Sequence, residues 1–297
     1  MLAARNPLLK CDSIGFNAEL HEYTIDGVVV PLSVTGVVDK LFGAFRPVKT
    51  INKFFDGWKR SGKSKYQKTI ATSVTDADAK RAILKQWDAA GEAGRALGTL
   101  LHANVEDALN AVAPDAEKRR KVEVECQQFE KWLAEWATPR GLVPYRTELK
   151  VCLRGLSGSA VVAGMADAVF VDGFGQYWLI DWKRIAKPIS SQEYAHGRTG
   201  KGLASEVAET KFNQISMQLA FYARMLQQTA GVDVGDRRYV VKLVREGYEA
   251  ISMSTESHIE KAVDRAVLRL IHAEPLLCAD EVGSGDEDDD ADVWDAF

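Results

Sequence analysis

Apolar and polar positions along this chain follow two periods, and the changes between them mark out its elements. Residues 20–25 and 28–32 alternate on either side of Asp26-Gly27, which predicts a β-hairpin on an Asp-Gly turn. Ser33 then stands as N-cap to a short helix through Val37, Val38, Leu41 and Phe42. Between Lys49 and Lys68 the rings Phe54, Phe55 and Trp58 recur at helical spacing among lysines. Thr75 to Asn110 reads as one or two helices. Ile83, Leu84 and Trp87 form a first apolar stripe, Leu97, Leu100, Leu101, Val105 and Leu109 a second, and Gly91 and Gly94 mark a break or a close approach. A charged helix over 116–137 places Phe129, Trp132, Leu133 and Trp136 on one side, and Pro139 to Pro144 ends it.

The period then shortens to two. Tyr145 to Arg154 alternates Thr147, Leu149, Val151 and Leu153 with Arg146, Glu148 and Lys150, which predicts a strand. The runs 168–171 and 177–180 flank Asp172-Gly173-Phe174-Gly175 and predict a second hairpin. Residues 184–212 carry no period, and a stretch this long in a compact domain is usually functional or mobile. Phe212 to Gln228 returns to helical spacing, Arg237–Arg245 and Tyr248–Met253 form a strand pair about Gly247, and a last helix runs from a Ser254 or Thr255 cap through Leu276. Helices interleaved with strands in this order predict an α/β fold, a mixed central sheet covered by helices.

Composition sets only outer bounds. At 297 residues with 46% hydrophobic and 27% charged, the chain has ample material for a core. It has no apolar run of about eighteen residues, so no membrane partner is expected. Its first ten residues are too short and interrupted for a secretory signal, so the expectation is a cytoplasmic, non-secreted protein. Cys11, Cys126, Cys152 and Cys278 are scattered without a C-x-x-C pair, which suits reduced thiols. The net charge of −4 is misleading: residues 280–297 hold nine acids and no base, and the rest holds 38 Lys and Arg against 33 Asp and Glu. The body is therefore mildly basic, as a nucleic-acid partner requires.

The second hairpin carries the candidate chemistry. Antiparallel pairing brings Asp167 and Asp181 to the same end, with Asp167 entering the first strand and Asp181 leaving the second. Lys183, two residues on, faces the same side as Asp181. Two hard oxygen ligands suit Mg2+ or Mn2+, and an ammonium beside them can orient an attacking water or offset phosphate charge. A hairpin with solvated acids and a rim lysine is the alternative reading. Glu148, on the strand before, is either a further acid of the site or half of a cross-strand salt bridge.

Gly164-x-x-Asp167, then Ile180-Asp181-Trp182-Lys183, resembles the core motif of the PD-(D/E)XK nuclease superfamily. Gln218-Leu-Ala-Phe-Tyr222 resembles the Q-x-x-x-Y motif of its RecB-type exonuclease branch, which includes phage and viral recombination or replication exonucleases and the mitochondrial genome maintenance exonuclease. Upstream, Gly98-Thr-Leu-Leu-His102 through Glu106 resembles that branch's helical histidine motif. These elements span residues 98–222. The resemblance implies a restriction-endonuclease-like α-β-β-β-α-β core with an N-terminal hairpin and helical elaboration. It implies a metal site of His102, Asp167, Asp181 and the Trp182 carbonyl for one or two Mg2+ or Mn2+ ions, with Asp167, Asp181 and Lys183 catalytic. Gln218 and Tyr222 would contact DNA. Glu106 would hold the imidazole or be solvated. Some relatives build an iron–sulfur cluster from one early and three late cysteines; only Cys278 is late here, so no cluster is expected.

The expected division is an N-terminal hairpin and helical elaboration over 1–95, a nuclease core over 96–278 and a disordered acidic tail over 279–297. The expected function is a metal-dependent deoxyribonuclease, a phosphodiester-hydrolysing exonuclease acting at single- or double-stranded DNA ends in recombination, repair or replication. The alternatives are a structure-selective endonuclease on the same fold and a non-catalytic DNA-binding recombination partner. The basic, ring-bearing stretch 49–68 is either a single-strand contact or an amphipathic helix packed by its rings. Lys187, His196, Arg198, Lys201 and Lys211 are candidates for a DNA channel wall. The tail, ending on Trp294 and Phe297, is either a docking peptide for a protein partner or a mimic of DNA that shields the basic surface.

Overall fold

The computed structural model describes residues 1–277 apart from 21, 44, 186, 196 and 254–256. His196, the Ser254 or Thr255 cap, Cys278 and the tail with Trp294 and Phe297 lie outside the described residues. The described residues divide into two compact units, one of Met1–Gly43 with residues 100–277, the other of Ala44–Thr99. The N-terminal hairpin, grouped by sequence with residues up to 95, thus packs with the part that follows residue 100.

The first unit is built on a five-stranded sheet. Its strands, named here β4 to β8 after three N-terminal strands, are β4 (Val143–Arg154), β5 (Ala160–Val171), β6 (Tyr177–Lys183), β7 (Arg238–Val244) and β8 (Gly247–Ser252), in that spatial order. Only β6 and β7 are parallel, joined by a crossover through helix α9 (Lys211–Ala230); the other neighbours are antiparallel. The fold is therefore α/β with a mixed sheet. The β5–β6 turn closes as the sequence predicts, with Gly175 at φ +76 and Asp172 Oδ1 accepting from the Phe174 and Gln176 amides.

The strands' period of two sends alternate residues to two helical layers. Leu179 and Val169 face α9, whose Ile215, Leu219, Tyr222 and Met225 belong to the same core as helix α3 (Val34–Phe42) and helix α10 (Ser257–Ile271). Trp182 and Phe170 face helix α8 (Glu123–Trp132), whose Trp132 ring lies 5.0 Å from Trp182 and 5.7 Å from Phe170. The single helix expected over 116–137 is broken: α7 (Ala116–Arg120) precedes α8, and Leu133–Ala137 continues it with π-helical bonding.

The predicted N-terminal hairpin is present as β2 (Glu22–Ile25) and β3 (Val28–Val29), with Asp26 and Gly27 both at positive φ. A strand the pattern did not predict, β1 (Gly15–Asn17), pairs with β2. Tyr23 and Ile25 pack with Cys152 and Ala163, which seats this small sheet on β4 and β5. Ser33 caps α3 as expected, its Oγ accepting from the Gly36 amide at 3.1 Å. Helices α1 (Leu2–Arg5) and α2 (Leu9–Asp12) lie ahead of β1, where Asp12 pairs with the buried Arg146 of β4.

In the second unit, α4 (Pro47–Ser61) and α5 (Gln67–Thr72) share a core with the first half of α6 (Asp76–Leu109), through Ile51, Phe55, Tyr66, Ala79 and Ile83. Helix α6 is one continuous element of 34 residues, so the expected interruption at Gly91 and Gly94 is absent. Nothing lies within 4 Å of where a Gly94 side chain would begin, so that glycine answers no close approach either.

A candidate metal centre on the sheet

Three elements of the first unit converge. The last turns of α6 bury Leu101, Val105 and Leu109, and this sets half-buried His102 toward the sheet. Strand β4 contributes Glu148 and β5 contributes Asp167. The pairings Thr147 with Ala168 and Leu149 with Ala166 place these two acids opposite each other. His102 Nδ1 lies 3.9 Å from Glu148 Oε1 and 3.6 Å from Asp167 Oδ2. The donor atoms of all three residues fall within 4.8 Å of one another.

The imidazole is oriented from behind. His102 Nε2 lies 3.1 Å from the Trp182 carbonyl, which can only accept, so this nitrogen carries the proton. Nδ1 is then left to face the two carboxylates, as an N–H or as a lone pair open to a cation. Asp167 Oδ2 meanwhile accepts from the Trp182 amide at 2.8 Å. One residue of β6 thus fixes both, its carbonyl the histidine and its amide the aspartate.

Asp167 does not enter its strand, as expected, but lies in the middle of twelve residues, because β5 runs on to pair with β4. The β5–β6 ladder ends at Ala168 and Ile180, so Asp167 and Asp181 are the next facing pair, at the end of the hairpin. Asp181 and Lys183 share one face and form an ion pair, Nζ to Oδ2 2.7 Å. Oδ2 is buried, and the Lys183 ammonium is its charged neighbour. Burial pushes the Asp181 carboxyl up, with Lys183 opposing. Burial alone would lower Lys183, but Asp181 and Asp167 outweigh it and raise it.

The Glu148 carboxyl is strongly perturbed as well. Burial first, then Asp167, Glu106 and Asp181, push it up to about 8. Its backbone is also left-handed, φ +44, in a strand and in a residue that is not glycine. Such strain persists only where the surroundings hold it, and it collects at functional sites. Glu106 does not reach the imidazole; its half-buried carboxyl is raised by burial and then by Asp107.

Tyr222 of α9 is buried, and Gln218 hydrogen-bonds its hydroxyl. Burial drives this phenol's pKa far up, so it is a neutral hydroxyl at any working pH. Gly164 is required here: a Cβ on it would sit 2.6 Å from Tyr222 Cε1 and 2.9 Å from Val34 Cγ2. Lys211, at the start of α9, is lowered by burial and then by Lys183.

The residues expected as metal ligands all lie at this end of the hairpin. His102 and Asp167 are joined by Glu148, Asp181 is held by Lys183, and the Trp182 carbonyl receives the imidazole's proton. Of the two readings open for Glu148, the β4–β5 register favours a further acid of the site, set against Asp167. Tyr23, raised to about 12 by burial and then by Glu148 and Asp167, escaped the sequence reading because its strand gives no local sign of where it packs.

An imidazole nitrogen with two crowded carboxylate oxygens, a third acid adjacent, is a donor set that fits a hard or borderline divalent cation such as Mg2+ or Mn2+. No protein-family model and no curated protein matches the chain. Among solved structures, a crystal structure described as SSO0001 is 12% identical with a TM-score of 0.28, covering 60% of this chain and 86% of that one. A likeness that low lends neither fold nor activity. Among the described residues no helix is long and apolar enough to cross a membrane.

Proposed function

We propose that this protein is a Mg2+- or Mn2+-dependent deoxyribonuclease of the PD-(D/E)XK type, hydrolysing phosphodiester bonds from DNA ends. The observation that carries the reading is the convergence of His102, Glu148 and Asp167 within 4.8 Å beside the Asp181–Lys183 pair. His102, Asp167 and Glu148 would hold the cation, with Asp181 at its margin. When bound, the ion supplies Lewis acidity toward a phosphate oxygen. Lys183, the ammonium nearest the acids, orients the attacking water and offsets charge on the phosphoryl group. The amide of Gln218 and the neutral hydroxyl of Tyr222 can donate hydrogen bonds to a phosphate, and their oxygens can accept from the lysine.

The test is a time course on end-labelled linear DNA, single- and double-stranded, with Mg2+ and with Mn2+. Asp181→Ala and Lys183→Ala should each lower cleavage by orders of magnitude with an unchanged circular-dichroism spectrum. Wild-type rates in Asp181→Ala end the assignment. Cleavage of circular single strands would move the reading from an exonuclease to an endonuclease on the same site.

A further inference from the structure

The net positive charge of residues 1–279 comes from one unit. Residues 44–99 hold twelve Lys and Arg against five Asp and Glu, net +7, while 1–43 with 100–279 hold 26 against 28. The unit that carries the candidate site is thus slightly acidic, and the body's basic excess belongs to the other.

Within that unit the charge is ordered. Lys49, Lys53 and Arg60 recur along α4 at steps of four and seven, within an arc of about 40° on a helix of 3.6 residues per turn. All three are exposed. The opposite face is taken up inside: Ile51 and Phe55 are buried, and Trp58 lies 4.6 Å from the Tyr66 ring and 6.1 Å from that of Trp87. Exposed Lys63 and Lys68 follow past the helix end. Ile51 and Phe55, the centre of the apolar face, are buried against α5 and α6 and so are not offered to a lipid interface. Phe55 and Tyr66 are buried in the core with Trp58 packed against them, while half-buried Phe54 lies beside Lys53, so charge is the main thing this face offers. From Lys49 to Arg60 the helix advances about 16 Å, a length that covers about five phosphates of one strand at 3.4 Å each.

We propose that the exposed cationic face of α4, continued by Lys63 and Lys68, is a sequence-independent binding site for the phosphate backbone of nucleic acid. The proposal rests on nucleic acid being the substrate, as read above, but it is tested by binding without cleavage.

The experiment is fluorescence anisotropy of the full chain with labelled duplex and single-stranded DNA, in a chelator, across a salt titration. The variant K49A/K53A/R60A should bind about tenfold or more weakly at low salt, and its log-affinity against log-salt slope should be shallower by roughly 2 to 3. K63A/K68A, outside α4, should move both in the same direction and serves if the first variant does not fold. Unchanged affinity and slope in both variants overturn the proposal, as does a wild type that binds no DNA in chelator. Displacement of the DNA by polyglutamate at equal charge concentration also overturns it, in favour of an acidic polypeptide partner. Asp181→Ala should bind like wild type without cutting. If it cuts, the nuclease site is wrong while the binding result stands; if only the α4 variants behave as wild type, the reverse holds.

Discussion

At Glu148 a left-handed backbone and a buried carboxyl coincide, and the carboxyl's pKa of about 8 has a consequence for stability. The folded value lies above the ordinary 4.5, so the unfolded chain gives up its proton first. This group's contribution is complete below the ordinary value and declines as pH rises toward the folded one. In a chelator, the wild-type melting temperature should fall between those limits. Glu148→Gln, which cannot ionise, should flatten that fall and gain on the order of 1–3 kcal/mol at its alkaline end. An unaltered pH profile in Glu148→Gln would remove the electrostatic account of the site. Gly164 makes a steric argument at the same scale. Gly164→Ala drives a methyl into Tyr222 and Val34, and such overpacking costs about 1–3 kcal/mol. Thermal melting should show it as a loss of about 2–4 °C per kcal/mol; an unshifted melt would mean that Tyr222 is not held against β5.

At the scale of elements, α6 is where local pattern and outcome part. Its two glycines suggested an interruption, yet Ala89, Ala90, Ala93 and Ala96 surround them, and glycine in a helix weakens it without forbidding it. Gly94 is exposed with open space at its Cβ, so Gly94→Ala should stabilise the protein by about 0.5–1 kcal/mol, read by denaturant titration. A loss would mean the helix bends there after all. The β5–β6 hairpin is the opposite case. Its Gly-bearing turn and two apolar runs carry enough information to fix the register, and so the opposition of Asp167 and Asp181. The amphipathic reading of α4 likewise holds, since a stripe of rings at helical spacing has nowhere to go but inward.

At the scale of the whole molecule, charge and donor set are divided between two units, each with its own core. A cation that binds only the folded first unit must stabilise it. Excess Mn2+ should raise the chain's melting temperature, by about 2.7 kcal/mol in stability at a hundredfold over its dissociation constant. His102→Ala or Glu148→Gln should remove most of that gain, and titration calorimetry should lose the binding heat. Equal Mn2+ stabilisation in both variants would place the cation elsewhere.

Sequence alone determined the order of the main strands and helices of the sheet unit, the α/β class, the hairpin that sets Asp167 against Asp181, and the facing of Lys183 with Asp181. All of these follow from periods of two and 3.6 and from turn chemistry within a few residues. Which acid joins His102 was decided only in three dimensions. Glu148 comes from a strand 46 residues beyond the histidine and Asp167 from the next. A local period says which way a side chain points from its own element. It does not say which other element that side will meet, and a metal centre drawn from a helix and two strands exists only where those meetings have been settled by packing.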